Sequence, residues 1–160
     1  MTNLNEIIDL MLPKIPLDMR TDDMIDIELA RVGVMDMASA LDFPALHIEE
    51  KTNESIDEET GELVTTKEYS VQETLDFKQQ RLAAYYAYGA YLQRLKLAYT
   101  NDAINFNTLT FAIKGLEKRP DAINDSIYMW NRYLPDEINK ARGNSVVIGI
   151  VTKFGGDSDE

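Results

Sequence analysis

Leu82-Ala-Ala-Tyr-Tyr-Ala-Tyr-Gly-Ala-Tyr-Leu92 contains no charged residue at any position. A helix over this run is apolar on every face, and such a helix is enclosed by other elements or by neighbouring subunits. Spanning a membrane takes about 20 apolar residues in succession. The run has eleven, which marks a core helix and not an anchor. Working outward, Ser70-Val-Gln-Glu73 matches a capping box, in which the serine hydroxyl and the glutamate satisfy free backbone donors at a helix start. Arg81 and Arg94 bracket the run and Lys96 follows, with cations favoured in the later turns by the helix dipole. The expectation is a long central helix over residues 70–99, with Gly89 marking a close crossing by another helix.

The 160 residues fit one domain, and 44% hydrophobic residues supply a substantial core. There is no cysteine, hence no disulfide framework and no thiolate chemistry. The first residues, MTNLNEIIDLML, lack the basic start and long apolar run of a secretory signal, so the chain is read as soluble and intracellular, with no membrane partner. The net charge is −12. Seven acids against Lys51 lie between Glu49 and Glu62, and Asp157, Asp159 and Glu160 lie at the end, so two segments hold three quarters of the excess. An acidic surface repels phosphates, and nucleic-acid binders carry a basic stripe. Specific DNA binding is disfavoured.

In chain order, residues 1–20 form an N-terminal arm with a short helix whose face carries Leu4, Ile7, Ile8 and Met11, ended by Pro13 and Pro16. Residues 21–43 form a second helix, capped at Thr21, with Ile25, Leu29, Val32, Met35 or Met37, and Ala40 at helical spacing. Residues 46–69 change pattern. They read as an acidic β-hairpin or a loop around Glu59-Thr60-Gly61, exposing Asp57, Glu58, Glu59 and Glu62. After the central helix, residues 107–142 give short helices: one over 109–118, then a stripe of Ile123, Ile127, Trp130 and Leu134. Pro135 restarts the last helix in a new direction, and Arg142-Gly143 terminates it. Residues 145–154, SVVIGIVTKF, read as a strand that needs a partner, either the hairpin or the edge of another protein. Val146, Val147, Ile148, Ile150, Val151 and Phe154 are its candidate assembly residues. Residues 155–160 read as a frayed, disordered tail.

Reaction chemistry leaves no signature. No GxxxxGK[ST], GxSxG or HExxH is present. His47 is the only histidine and has no obvious carboxylate at ligand spacing, so it reads as a packed or surface side chain. The consecutive pairs Asp22/Asp23 and Glu58/Glu59 diverge on regular structure. Tyr85, Tyr86, Tyr88, Tyr91 and Tyr99, without basic neighbours, read as packing and not as a base-stacking platform. No catalytic residue, metal site or cofactor is expected, and no enzyme.

The order of elements carries one resemblance: an acidic-start helix (22–41), an extended excursion (46–69) with its EETGEL segment, a long helix (70–99), then smaller helices and a late strand (145–154) in a cysteine-free chain. This order resembles the small connector proteins of tailed bacteriophages, which assemble as a ring beneath the portal and join head to tail. The long hairpin and the added N-terminal helix depart from that pattern. The resemblance implies a virion protein, assembled in the bacterial host cytoplasm, with no catalytic residues. Its partners would be other copies of itself and portal, tail or neck proteins. DNA would pass an acidic lumen during ejection without specific binding. The fold expected is mainly α, a helical bundle around one long central helix with a small β-hairpin and a C-terminal strand. Two other readings stay open: an acidic regulatory adaptor that docks on a host protein, and a small DNA-packaging subunit.

Overall fold

The computed structural model describes residues 1–43, 46–56, 63–106 and 119–143. Its elements are β1 (Thr2–Asn3), α1 (Leu4–Met11), α2 (Ile27–Ala40), β2 (Ile48–Ile56), β3 (Leu63–Val71), α3 (Phe77–Phe106) and α4 (Arg119–Ala141), with three short 3-10 turns between α1 and α2. The fold is mostly helical, with four helices and a small three-stranded antiparallel sheet among the described residues.

No residue from 82 to 92 is exposed. Leu82, Ala83, Ala84, Ala87, Tyr91 and Leu92 are buried, and α1, α2 and α4 all pack against α3. Absence of charge on every face is thus matched by protein on every face. The start of this helix differs from expectation. Ser70 and Val71 end strand β3, and α3 begins at Phe77. The cap is built six residues later: the Asp76 carboxylate accepts from the Gln79 amide at 2.8 Å, and the Gln79 side chain accepts from the Asp76 amide at 2.9 Å. This is the reciprocal box with Asp and Gln in the two roles.

Helix α2 also differs. Thr21 precedes a 3-10 turn, and the helix is capped by Asp26, whose Oδ1 accepts from the Leu29 amide at 3.3 Å. Its buried stripe is Leu29, Ala30, Gly33, Val34, Met37 and Ala38, while Val32 and Met35 face solvent. The reason is close approach. A Cβ on Gly33 would lie 2.3 Å from the Ala83 carbonyl oxygen and 2.9 Å from the Ala87 Cβ. Small residues let the two backbones touch, so the side that packs is the slim one. Arg94 then ties the start of α2 to α3, donating to Asp26 Oδ2 at 2.8 Å and to the Met24 carbonyl at 3.3 Å.

Helix α4 runs through Pro135 without a restart, a third correction, since short helices with a change of direction at Pro135 were expected there. Ile123 is buried, and Ile127, Trp130, Leu134 and Ile138 pack on the core. Gly143 follows the helix at φ +73°, the left-handed position that favours glycine. The proposed crossing at Gly89 is present: a Cβ there would meet the Trp130 ring at 2.4 Å. Trp130 Nε1 donates to the Tyr85 carbonyl at 2.8 Å, and the Tyr85 hydroxyl donates to the Trp130 carbonyl at 3.1 Å. Tyr91 is fully buried. Its hydroxyl donates to the Met19 carbonyl at 2.7 Å and accepts from the Thr21 amide at 2.8 Å, which pins the connection between α1 and α2.

The extended excursion forms two paired strands. β2 and β3 run antiparallel from Ile48↔Val71 to Ile56↔Leu63, and β1 adds to the other side of β3 at Thr2↔Val71 and Asn3↔Ser70. The sheet order is β1-β3-β2. Thr2 and Val71 are buried where the sheet meets the body. Away from it, residues 50–56, Leu63 and 65–68 are exposed, so the pair leaves the body as a ribbon.

Candidate functional site

The residues singled out from the sequence fall outside the described part of the chain: Asp57, Glu58, Glu59 and Glu62 in 57–62, and Val146, Val147, Ile148, Ile150, Val151 and Phe154 in 144–160. The helix expected over 109–118 lies outside it as well. What the described residues bring together was not anticipated. It is a groove of about 320 Å³ where the first turns of α3 meet the last turns of α4, lined by Phe77, Lys78, Arg81, Glu137, Lys140 and Ala141.

Helical spacing places these groups. Lys78 and Arg81 are three residues apart on α3, as are Glu137 and Lys140 on α4, so each pair shares a face. Glu137 is the anchor, with its side chain 12% exposed. It accepts from Lys140 Nζ at 2.7 Å and pairs with Arg81 Nε at 3.4 Å. Lys14, from the turn after α1, stands over the Tyr85 ring at 5.7 Å from its centroid, a cation–π contact. Burial holds the Lys14 ammonium below the usual lysine value, and the nearby Arg81 and Lys140 push in the same direction against Glu137. The Tyr85 phenol is pushed up to about 12 by burial and by Glu137, so it stays protonated and serves as a donor.

Arg81, Lys140 and Lys14 thus gather around one carboxylate, and Lys78 adds a fourth cation on the α3 side with no acid of its own among the described residues. On a chain of net charge −12 this is a local inversion of sign, next to apolar surface from Phe77 (65% exposed), Ala141 and the stems of the basic side chains. Such a site binds carboxylate or phosphate oxygens through Arg and Lys while accepting apolar groups beside them. The i, i+3 spacing of Lys78/Arg81 and of Glu137/Lys140 is visible in the sequence. That the ends of two helices 56 residues apart would meet is not.

His47 has a carboxylate after all. Its Nδ1 lies 3.3 Å from Glu73 Oε1, and its amide donates to Glu73 Oε2 at 3.2 Å, at the base of the ribbon. The Glu73 carboxyl is held below its ordinary value by its own backbone amide and then by His47. No group of three metal-binding side chains occurs among the described residues, and no helix among them is long and apolar enough to cross a membrane. No known protein family, curated protein or solved structure significantly matches the chain.

Proposed function

We propose that this chain is a structural virion protein: a head–tail connector or head-completion subunit that assembles as a homo-oligomeric ring under the portal and helps form the DNA channel. Its neighbours are portal and tail or neck proteins, its place is the virion, and one long helix, α3, is the centre of each subunit's bundle. The observation that carries the reading is the ribbon. Residues 50–56 and 65–68 are exposed, and Ile56 (68% exposed) and Leu63 (63%) form an apolar pair at its far end. A two-stranded ribbon is marginal in water by itself, and long open edges with apolar residues invite another chain. An element of this kind supports assembly.

Native mass measurement of the full chain, alone and mixed with portal and neck proteins of a tailed phage, tests the proposal. A closed oligomer that joins the portal is expected; a monomer that joins neither overturns it. Capture of a host protein in place of virion proteins would turn the reading to the acidic adaptor. An anisotropy titration with duplex DNA is expected to show no submicromolar binding at physiological salt. Tight, salt-sensitive binding would favour the packaging subunit.

A further inference from the structure

The groove and the ribbon end have complementary chemistry. The segment joining the two strands, residues 57–62, carries Asp57, Glu58, Glu59 and Glu62 with no cation. It is flanked by the exposed pair Ile56 and Leu63. The groove offers Lys78, Arg81 and Lys140 beside the exposed ring of Phe77, with Lys14 near enough to add to its positive field. We propose that the groove between α3 and α4 is the docking site for the acidic end of the β-ribbon of a second copy of the chain. The acids meet the lysines and arginine, and Ile56 and Leu63 meet Phe77.

Three considerations choose this occupant. The regular ladder from Ile48↔Val71 to Ile56↔Leu63 is about 25 Å long. It carries the ribbon end away from the strand termini that lead into α3, which makes a neighbour's groove the available one. The acidic tail, Gly155-Gly156-Asp157-Ser158-Asp159-Glu160, has three acids to the four of residues 57–62 and an apolar neighbour on one side only, Phe154, so it lacks the second apolar flank that the ribbon end has. A phosphate backbone has no apolar component. The contact joins two different surfaces, ribbon end to groove, so it is head-to-tail. Repeated, such a contact makes a ring where the rotation between copies closes and an open filament where it does not, and the ring proposed above requires the first. The inference rests on the self-assembly proposed above and names the surfaces that carry it.

The test is zero-length carbodiimide cross-linking of the full chain, using equal parts ¹⁵N-labelled and unlabelled protein, with the peptides read by mass spectrometry. Mixed-isotope links from Lys78, Lys140 or Lys14 to Glu58, Glu59 or Glu62 are expected. Links only within one isotope, links from these lysines to Asp157, Asp159 or Glu160, or oligomers with no groove link overturn the proposal. Rings without groove links would leave the ring reading standing, whereas groove links in a mere dimer would overturn the ring and keep the docking. A charge-swap series checks the same contact. Lys78 has no hydrogen bond or ion pair among the described residues, so Lys78→Glu leaves the body's own bonds in place. Lys78→Glu, and separately Glu58→Lys with Glu59→Lys, should each weaken association at least about tenfold, and the two sets combined in one chain should recover most of it. Unchanged association in both single sets, or no recovery in the combined chain, overturns the docking. Circular dichroism confirms folding, and Lys78→Gln, with a smaller loss expected, replaces any variant that fails to fold.

Discussion

In the helical body no residue from 82 to 92 is exposed, whereas in the ribbon every residue from 50 to 56 is. Both are regular, hydrogen-bonded backbone, so the difference lies in what the side chains contribute. In the body the turns of α3 from Leu82 to Leu95 bury apolar groups among the surrounding helices, and a side chain such as Leu92 is wholly removed from water. In the ribbon the side chains contribute only through cross-strand pairs, each about 0.2–1 kcal/mol, and among the described residues Glu50–Lys67 at 2.6 Å is an ion pair that links the strands. The body carries its own reason to be folded. The ribbon borrows its order from the anchor at Val71, Thr2 and Ile48 and, on the reading above, from a neighbour.

The contrast is broken most severely by emptying the body. Leu92→Ala should cost about 2–5 kcal/mol and lower the thermal midpoint measured by circular dichroism by roughly 10 °C for a chain of this size. The same change at exposed Leu63 should leave the midpoint unmoved. Equal shifts would mean that the ribbon is as well packed as the helix.

Second in size is Tyr91→Phe, which keeps the ring but strands the Thr21 amide and the Met19 carbonyl. A loss of about 1–3 kcal/mol is expected in chemical denaturation. Its effect should centre on the connection between α1 and α2, read as faster amide exchange there than at the ends of α3.

The smallest effect concerns acid. Glu50 and Glu73 both sit below their ordinary value of 4.5, Glu50 chiefly through its bond to Lys67 and Glu73 through its own amide and then His47. Folded values below the unfolded ones mean that their contribution is present above pH 4.5 and fades as the pH falls below it. Both groups are fully solvent-screened, so the shift in stability is small. NMR chemical shifts of β2 and β3 should move toward coil values on acidification before those of residues 82–92 do. Loss of both together would erase the distinction between the regions.

The same contrast separates what was legible in the sequence from what was not. The charge-free run announced its burial because it has only one stable environment. The start of α3 was ambiguous, because Ser70-Val-Gln-Glu73 and Asp76-Phe-Lys-Gln79 both satisfy a capping pattern. Pairing of Ser70 and Val71 with Asn3, Thr2, Glu49 and Ile48 decides between them, and that is a long-range fact. Helix α2 was misphased because large apolar residues, Val32 and Met35, dominate the pattern, while the packing is set by Gly33 against Ala83 and Ala87. Two extended arms around 59–61 were readable from turn chemistry, and β1 was not, since two residues carry no periodicity. The basic groove was hidden for a similar reason. Its spacings are local, but its existence depends on α3 and α4 running back along one another.

Trp130 is the chain's single tryptophan, and its indole lies on bare backbone at Gly89 with its N–H on the Tyr85 carbonyl. Tyrosines 85 and 86 flank it at ring-centroid distances of 6.0 and 6.2 Å. The tryptophan emission of this protein, excited where tyrosine does not absorb, therefore reports on one seam, α3 against α4, and not on the molecule as a whole. Glu137 and Lys140 stand two and three turns further along the same helix, so emission colour and lifetime follow whatever loosens or grips that helix while the ribbon stays optically silent to the indole. The fold carries its own local optical gauge, and no label has to be attached to read it.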